Sequence, residues 1–273
     1  MCNGSIMDKL ISFSLPLMVS GILQLAFNAV DIIVVGRFSG SQALAAVGST
    51  TALINVFTNL FIGISLGANV LAARFYAAGK DREMSETVHT SITLALISGI
   101  MMAVIGVLLA KWALEIMGTP DDVIGQSALY MRIYFMGMPF FMLYNYGAAI
   151  LRAIGDTKRP LIFLIISGIA NAALNMILVI LFHMGVAGVA IGTIISQLIS
   201  CVLVLTCLYR SEGSYQLRFS KLKINGAYME QIFQVGVPAG IQSTVINLSN
   251  ALLQSSVNSF GSIAMAGYTA ANN

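Results

Sequence analysis

An all-α, polytopic transmembrane helix bundle is the fold class that the sequence predicts, and three observations predict it. Of the 273 residues, 58% are hydrophobic and only 9% are charged, against about 25% charged in a soluble domain. Mean hydropathy is +0.87, and the apolar residues are spread over the whole length, which excludes a secreted domain behind a signal peptide. The charges fall in short segments between long apolar runs, so the formal charge of +3 reads as a topology signal and excludes a nucleic-acid-binding surface. Cys2, Cys201 and Cys207 suggest neither a disulfide framework nor a metal cluster, and read as packed or lipid-facing thiols.

Crossing roughly 30 Å of hydrocarbon takes about 20 apolar residues in a helix. Seven runs meet that length, 11–35, 44–75, 90–110, 123–151, 160–182, 186–209 and 232–260, and an eighth starts at Ile263. Pro16, Pro160 and Pro238 stand in the first turns of their runs, where a missing N–H does least harm. Pro139 lies mid-run beside Gly137, and predicts a kink in the fourth span.

Orientation follows from Lys and Arg, which are retained on the cytoplasmic side. One side would hold Lys9, Arg74, Lys80, Arg82, Arg152, Lys158, Arg159, Arg210, Arg218, Lys221 and Lys223, and the other only Arg37 and Lys111. Arg132, placed near the outer end of the fourth span, would snorkel to the interface. The chain is therefore expected in the plasma (inner) membrane with a cytoplasmic N-terminus.

An internal repeat sets Ser14-Leu15-Pro16 against Gly236-Val237-Pro238, and Asn28 against Asn250, at an offset of 222. At 221, Gly40-Ser41 matches Gly261-Ser262 and Ala45 matches Ala266. An even number of spans separates the copies, so the repeat is parallel, as in two-lobed transporters. The expected organisation is a six-helix lobe over 1–209, a basic cytoplasmic connector over 210–228, and the first helix and part of the second helix of another lobe over 229–273. A piece of a longer protein, with the remainder of the C-terminal lobe missing, is the expectation.

Asp31 is the one acidic residue placed within a span. A carboxylate at helix centre costs about 2.5–3.5 kcal/mol on insertion scales and usually faces a bundle interior or an aqueous cavity. Ser20, Gln24, Asn28 and Asp31 step by helical intervals along one stripe of the first span. Ser167, Asn171 and Asn175 do so in the fifth, and Thr193, Ser196, Gln197 and Ser200 in the sixth. These stripes would converge on a polar interior, with Gln24 and Asn28 as substrate-cavity candidates. For Asn171 and Asn175, ion contact and interhelical hydrogen bonding are equally good readings on spacing alone. Gly63 with Gly67, and Gly188 with Gly192, have the small-xxx-small spacing that permits close helix packing. His89 and His183 are too far apart in topology to form a metal or nucleophilic pair. No phosphate-binding Gly-Lys-Ser motif is present, and the lone intramembrane acid argues against an intramembrane enzyme.

The segment from Asn28 through Asp31 to Gly36-Arg37, followed by Ala43-Leu44-Ala45-Ala46-Val47-Gly48, resembles the first two helices of the multidrug and toxic compound extrusion (MATE) transporters. Leu151-Arg152-Ala153-Ile154-Gly155-Asp156-Thr157-Lys158-Arg159-Pro160 resembles that family's loop before the fifth helix, and Gly185-Val186-Ala187-Gly188 the start of its sixth. The resemblance implies twelve helices in two lobes and antiport: organic, often cationic compounds leave in exchange for Na⁺ or H⁺, with no other cofactor. It also implies a cation site at the matching positions Asp31, Asn171, Asn175 and Thr193, where Asn175 replaces an Asp of the family pattern. One negative charge is thereby lost, which weakens a Na⁺ site built on hard oxygen ligands. The alternative within the same superfamily is a lipid or lipid-linked oligosaccharide flippase, which would call for a more basic cavity.

Overall fold

In the computed structural model, residues 6–272 are described, and Cys2 lies outside them. Within these residues the chain is helical apart from short turns and the connector 211–225. The elements are α1 (Ile6–Phe38), α2 (Gly40–Ala77), α3 (Asp81–Ile116), α4 (Asp121–Met136), α5 (Met138–Ala153), α6 (Lys158–Met176), α7 (Gly185–Arg210), α8 (Gly226–Asn258) and α9 (Ser262–Asn272). Five stretches are individually long and apolar enough to cross a membrane: α1, α2, α3, α6 with its extension to Leu181, and α7. The chain is a multi-pass membrane helix bundle. The run 232–260 forms α8, which carries Gln231, Gln234, Gln242, Asn247, Asn250, Gln254 and Asn258 and is accordingly less apolar. The core lies among α2, α3, α4, α5 and α7, where Met84, Leu114, Met131, Phe135, Met142, Tyr146 and Leu208 are fully buried.

The kink expected at Pro139 is a complete break. Gly137 separates α4 from α5, and Pro139 occupies the first turn of α5. Proline has no N–H to return to the preceding turn; instead the Phe140 and Phe141 amides both donate to the Gly137 carbonyl, at 3.1 and 3.2 Å. The broken turn leans on α3 at Gly99, where an added Cβ would come 2.6 Å from Pro139 Cα. A second irregularity carries no sequence signal: α6 continues as a π-helix, Ile177–Leu181.

One placement is corrected. Arg132 is eleven residues beyond the start of α4 at Asp121, about 16 Å along the axis at 1.5 Å per residue, so it lies nearer the middle of the broken span than its outer end. It projects from an exposed face of α4, where a long side chain can still run along apolar surface toward water.

The glycine spacings behave as packing devices. α8 lies antiparallel against α2, and a Cβ on Gly63 would strike the backbone of Gly240, while one on Gly236 would lie 2.5 Å from Ile64 Cα. An offset of 221 maps Gly48 onto Thr269, and these two residues meet, the Thr269 side chain filling the space a Cβ on Gly48 would need.

Candidate functional site

α1 is the least covered long helix: Leu15, Met18, Ile22, Leu25 and Ile33 are exposed, and Pro16, Val34 and Val35 are buried. It touches α6 where the Phe27 ring lies against Gly168, whose missing side chain makes the approach possible. Further along both helices, Asn175 Nδ2 of α6 donates to Asp31 Oδ1 at 2.5 Å. The same amide reaches Asn171 Oδ1, at 3.4 Å. Asn175 is fully buried and Asn171 nearly so.

The Asn175 carbonyl oxygen has no hydrogen-bond partner although it is buried. It points at Gly192 of α7, where any Cβ would collide with it. Gly192, read from the sequence as a packing residue, therefore also makes room for this amide. An unpartnered buried acceptor costs roughly 1–3 kcal/mol, so a rotation that brings Oδ1 to a proton or cation beside Asp31 recovers a lost interaction.

In front of this cluster lies a cavity of about 310 Å³. Gln24, Asn28 and Asp31 line it from α1, Ser167 and Asn171 from α6, and Thr193, Ser196, Gln197 and Ser200 from α7. The three polar stripes thus converge on one space. Ser20 does not take part, since its hydroxyl bonds back to the Pro16 carbonyl at 2.8 Å. Thr193 is on the wall, with its hydroxyl donated to Val189 O at 2.9 Å; both of its lone pairs remain available. Sequence reasoning missed the remaining walls: Asn55 of α2, Tyr134 of α4, and Phe141 and Tyr144 of α5. Among the described residues the lining contains one carboxylate, no Lys or Arg, and several aromatic rings.

A polytopic bundle whose intramembrane carboxylate faces a polar and aromatic cavity has the arrangement found along ion and substrate pathways through membranes. The comparisons narrow the class. The sequence model of the MatE family matches residues 16–177, and the chain belongs to that family. It is 34% identical over 269 residues to the probable multidrug resistance protein YoeA of Bacillus subtilis strain 168, covering 95% of this chain and 58% of that one. Among solved structures, the inward-facing conformation of a multidrug resistance MATE family transporter of the MOP superfamily superposes with TM-score 0.85 at 21% identity, over 96% of this chain and 60% of that chain. The MATE multidrug transporter DinF-BH gives 0.90 at 23% identity, over 98% and 59%. The chain spans about three fifths of the length of these relatives. Family members are transporters and not enzymes.

Proposed function

We propose that the chain carries the ion-coupling half of a secondary active antiporter of the inner membrane, one that exports organic cations by alternating access in exchange for an inward-moving ion. The observation that carries this reading is the Asp31–Asn175 contact at the cavity wall. Asn175 gives Asp31 a partner suited to both of its protonation states. Its N–H donates to the carboxylate, and its unpartnered Oδ1, once turned, accepts from the carboxylic acid. A cationic substrate and a proton then compete for one negative charge, which is the differential interaction that coupling requires. The basic-free lining of the cavity supports cationic cargo over an anionic lipid-linked sugar. The residues present also suit Na⁺ in donor chemistry, since Asp31, Asn171 and Thr193 offer hard oxygens. Either ion draws the Asn175 Oδ1 round toward Asp31, but an amide at 175 supplies one negative charge fewer than a carboxylate would, which weakens a hard-oxygen Na⁺ site more than a proton site, so we take H⁺ as the coupling ion.

The test is efflux of a cationic dye from proteoliposomes, with the protein expressed from its complete gene and with pH and Na⁺ gradients imposed separately. Flux is expected to follow the pH gradient. Flux indifferent to both gradients removes the antiport reading. Asn175→Asp is expected to add a Na⁺-driven component several-fold above wild type, because a second carboxylate replaces the amide N–H that now faces Asp31; a Na⁺ response equal to wild type would show that residue 175 does not select the ion.

In the proposed orientation, Arg74, Lys80 and Arg82, the Lys158–Arg159 turn and the connector after Arg210 are cytoplasmic, and the His183 turn is external. Single cysteines at 158 and 221 are expected to react with an impermeant maleimide only in inside-out vesicles, and one at 183 only in intact cells. Labelling of position 158 from outside would invert the topology.

A further inference from the structure

The connector between α7 and α8 is not a loose linker. Leu217 is fully buried and its amide donates to Leu208 O at 3.0 Å. The next amide, that of Arg218, donates to His89 Nε2 of α3 at 3.1 Å, and the Asn225 amide donates to Thr90 Oγ1 at 3.1 Å. Asn225 Nδ2 adds a bond to Glu86 Oε2 at 2.8 Å. These ties hold the strap across the end of α3 and leave its other side outward. Phe219 is 53% exposed and stacks on Tyr209, itself 54% exposed, at 5.8 Å.

Between the strap and α3 is a cavity of about 810 Å³, lined among others by Arg82, Glu86, Lys221 and Lys223. Glu86 is committed to Arg82, at 3.0 Å, and to Asn225. Neither lysine makes an ion pair among the described residues. Arg82, Lys221 and Lys223 face the single carboxylate of Glu86, which feels Lys223 as well as Arg82, so cations are in excess at the site, and the exposed Phe219 that stacks on Tyr209 is two residues before Lys221 in the same strap.

We propose that this cavity binds the phosphate of an anionic phospholipid headgroup, with Lys221 and Lys223 as its cationic contacts and the Tyr209–Phe219 pair seated beside it at the membrane surface. A phosphate is an anion that suits the cationic excess left when Glu86 is held by Arg82 and Asn225. A lipid is favoured over a soluble anion because the strap that carries both lysines also exposes an apolar ring, Phe219, two residues from Lys221. The lipid here is a bound ligand and not cargo, and it would fix the strap that joins α7 to α8.

The test is binding of fluorescent phosphatidylglycerol to the purified chain in neutral detergent micelles, an assay independent of membrane orientation and of transport. Removing both charges, Lys221→Gln with Lys223→Gln, is expected to weaken binding about 25-fold, from about fivefold per basic side chain near a lipid surface. Lys221→Arg with Lys223→Arg should retain it, and so should Lys111→Gln at the opposite end of α3. Fluorescent phosphatidylcholine should bind weakly to every form. Unchanged phosphatidylglycerol binding by the Gln variant, or equal binding of phosphatidylcholine by wild type, overturns the proposal. Complete displacement of the lipid by inorganic phosphate would also overturn it, by making the occupant a soluble anion. A Gln variant that loses helicity by circular dichroism is replaced by Lys221→Gln alone, for which the fivefold loss is the deciding figure.

Discussion

Dye efflux driven by a pH gradient should fall by roughly two orders of magnitude when Asp31 is replaced by Asn, the upper end of what one coupling interaction contributes. The substitution keeps side-chain shape, and its carbonyl can still accept the Asn175 N–H that now meets Asp31 at 2.5 Å. What disappears is the negative charge, and with it the competition between proton and substrate cation. Insertion of the helix becomes easier by up to about 2.5–3.5 kcal/mol, the cost of an ionised residue at membrane depth. Loss of transport should therefore come with unchanged or improved expression and detergent stability, which separates a coupling defect from misfolding. Near-wild-type efflux that still follows the imposed gradient would end the case for Asp31, and poor membrane insertion would contradict the stated reason for choosing Asn.

Much of this site was legible because helical spacing exposes a polar stripe wherever the background is apolar. Asp31 with Asn28 and Gln24, Asn171 with Asn175, and Thr193 with Gln197 each repeat at intervals of three or four, and the structure brings these stripes to one cavity. Asn55, Tyr134, Phe141 and Tyr144 were not legible. α2 carries Ser49, Thr50, Thr51, Asn55, Thr58 and Asn59 around its circumference, and other aromatic residues of α4 and α5, Phe135 and Tyr146, fill the core, so no one stripe stands out as facing the cavity. The contact of Phe27 with Gly168 is likewise a tertiary fact: a lone glycine in an apolar span does not announce which ring lies against it. Proline chemistry announced a disturbance at Pro139 but not its size, because a break also needs a neighbour able to accept it, and Gly99 belongs to a different helix. The π-turn after Asn175 arises in Ile-Leu-Val-Ile-Leu, a run with no breaker. Its proximity to the site fits the tendency of π-helical turns to occur where function is located. Gly63 and Gly67 were visible as a packing motif, and Gly236 and Gly240 have the same four-residue spacing, but only the contact itself pairs the two.

That contact supports the second large effect. Gly236→Leu is expected to force α8 off α2 and to abolish export with the cavity residues intact. The two helices meet at backbone distance: a Cβ on Gly67 would lie 2.9 Å from the Gly236 nitrogen, and one on Gly240 would lie 2.5 Å from the Leu60 carbonyl oxygen. Both obstacles are main chain, so no rotamer change relieves them and the helices must separate toward the 8–10 Å of ordinary side-chain-mediated packing. Further out, Ser255 and Asn258 of α8 both donate to the Met117 carbonyl at the end of α3, at 3.2 and 3.1 Å. A separation of a few ångströms breaks both bonds and strands that carbonyl. On the reading that residues 229–273 begin a second lobe, the α2–α8 crossing is the surface along which the lobes move, and close glycine packing lets them pivot without side chains interlocking. Spin labels at the exposed positions Leu66 and Ile246 should move apart by about 2–3 Å in the variant, and Gly236→Ala should fall between it and wild type in both distance and efflux rate. Should Gly236→Leu leave both the label distance and efflux at wild-type values, the crossing would be neither as tight nor as necessary as argued; a lengthened distance with full efflux would confine its role to packing.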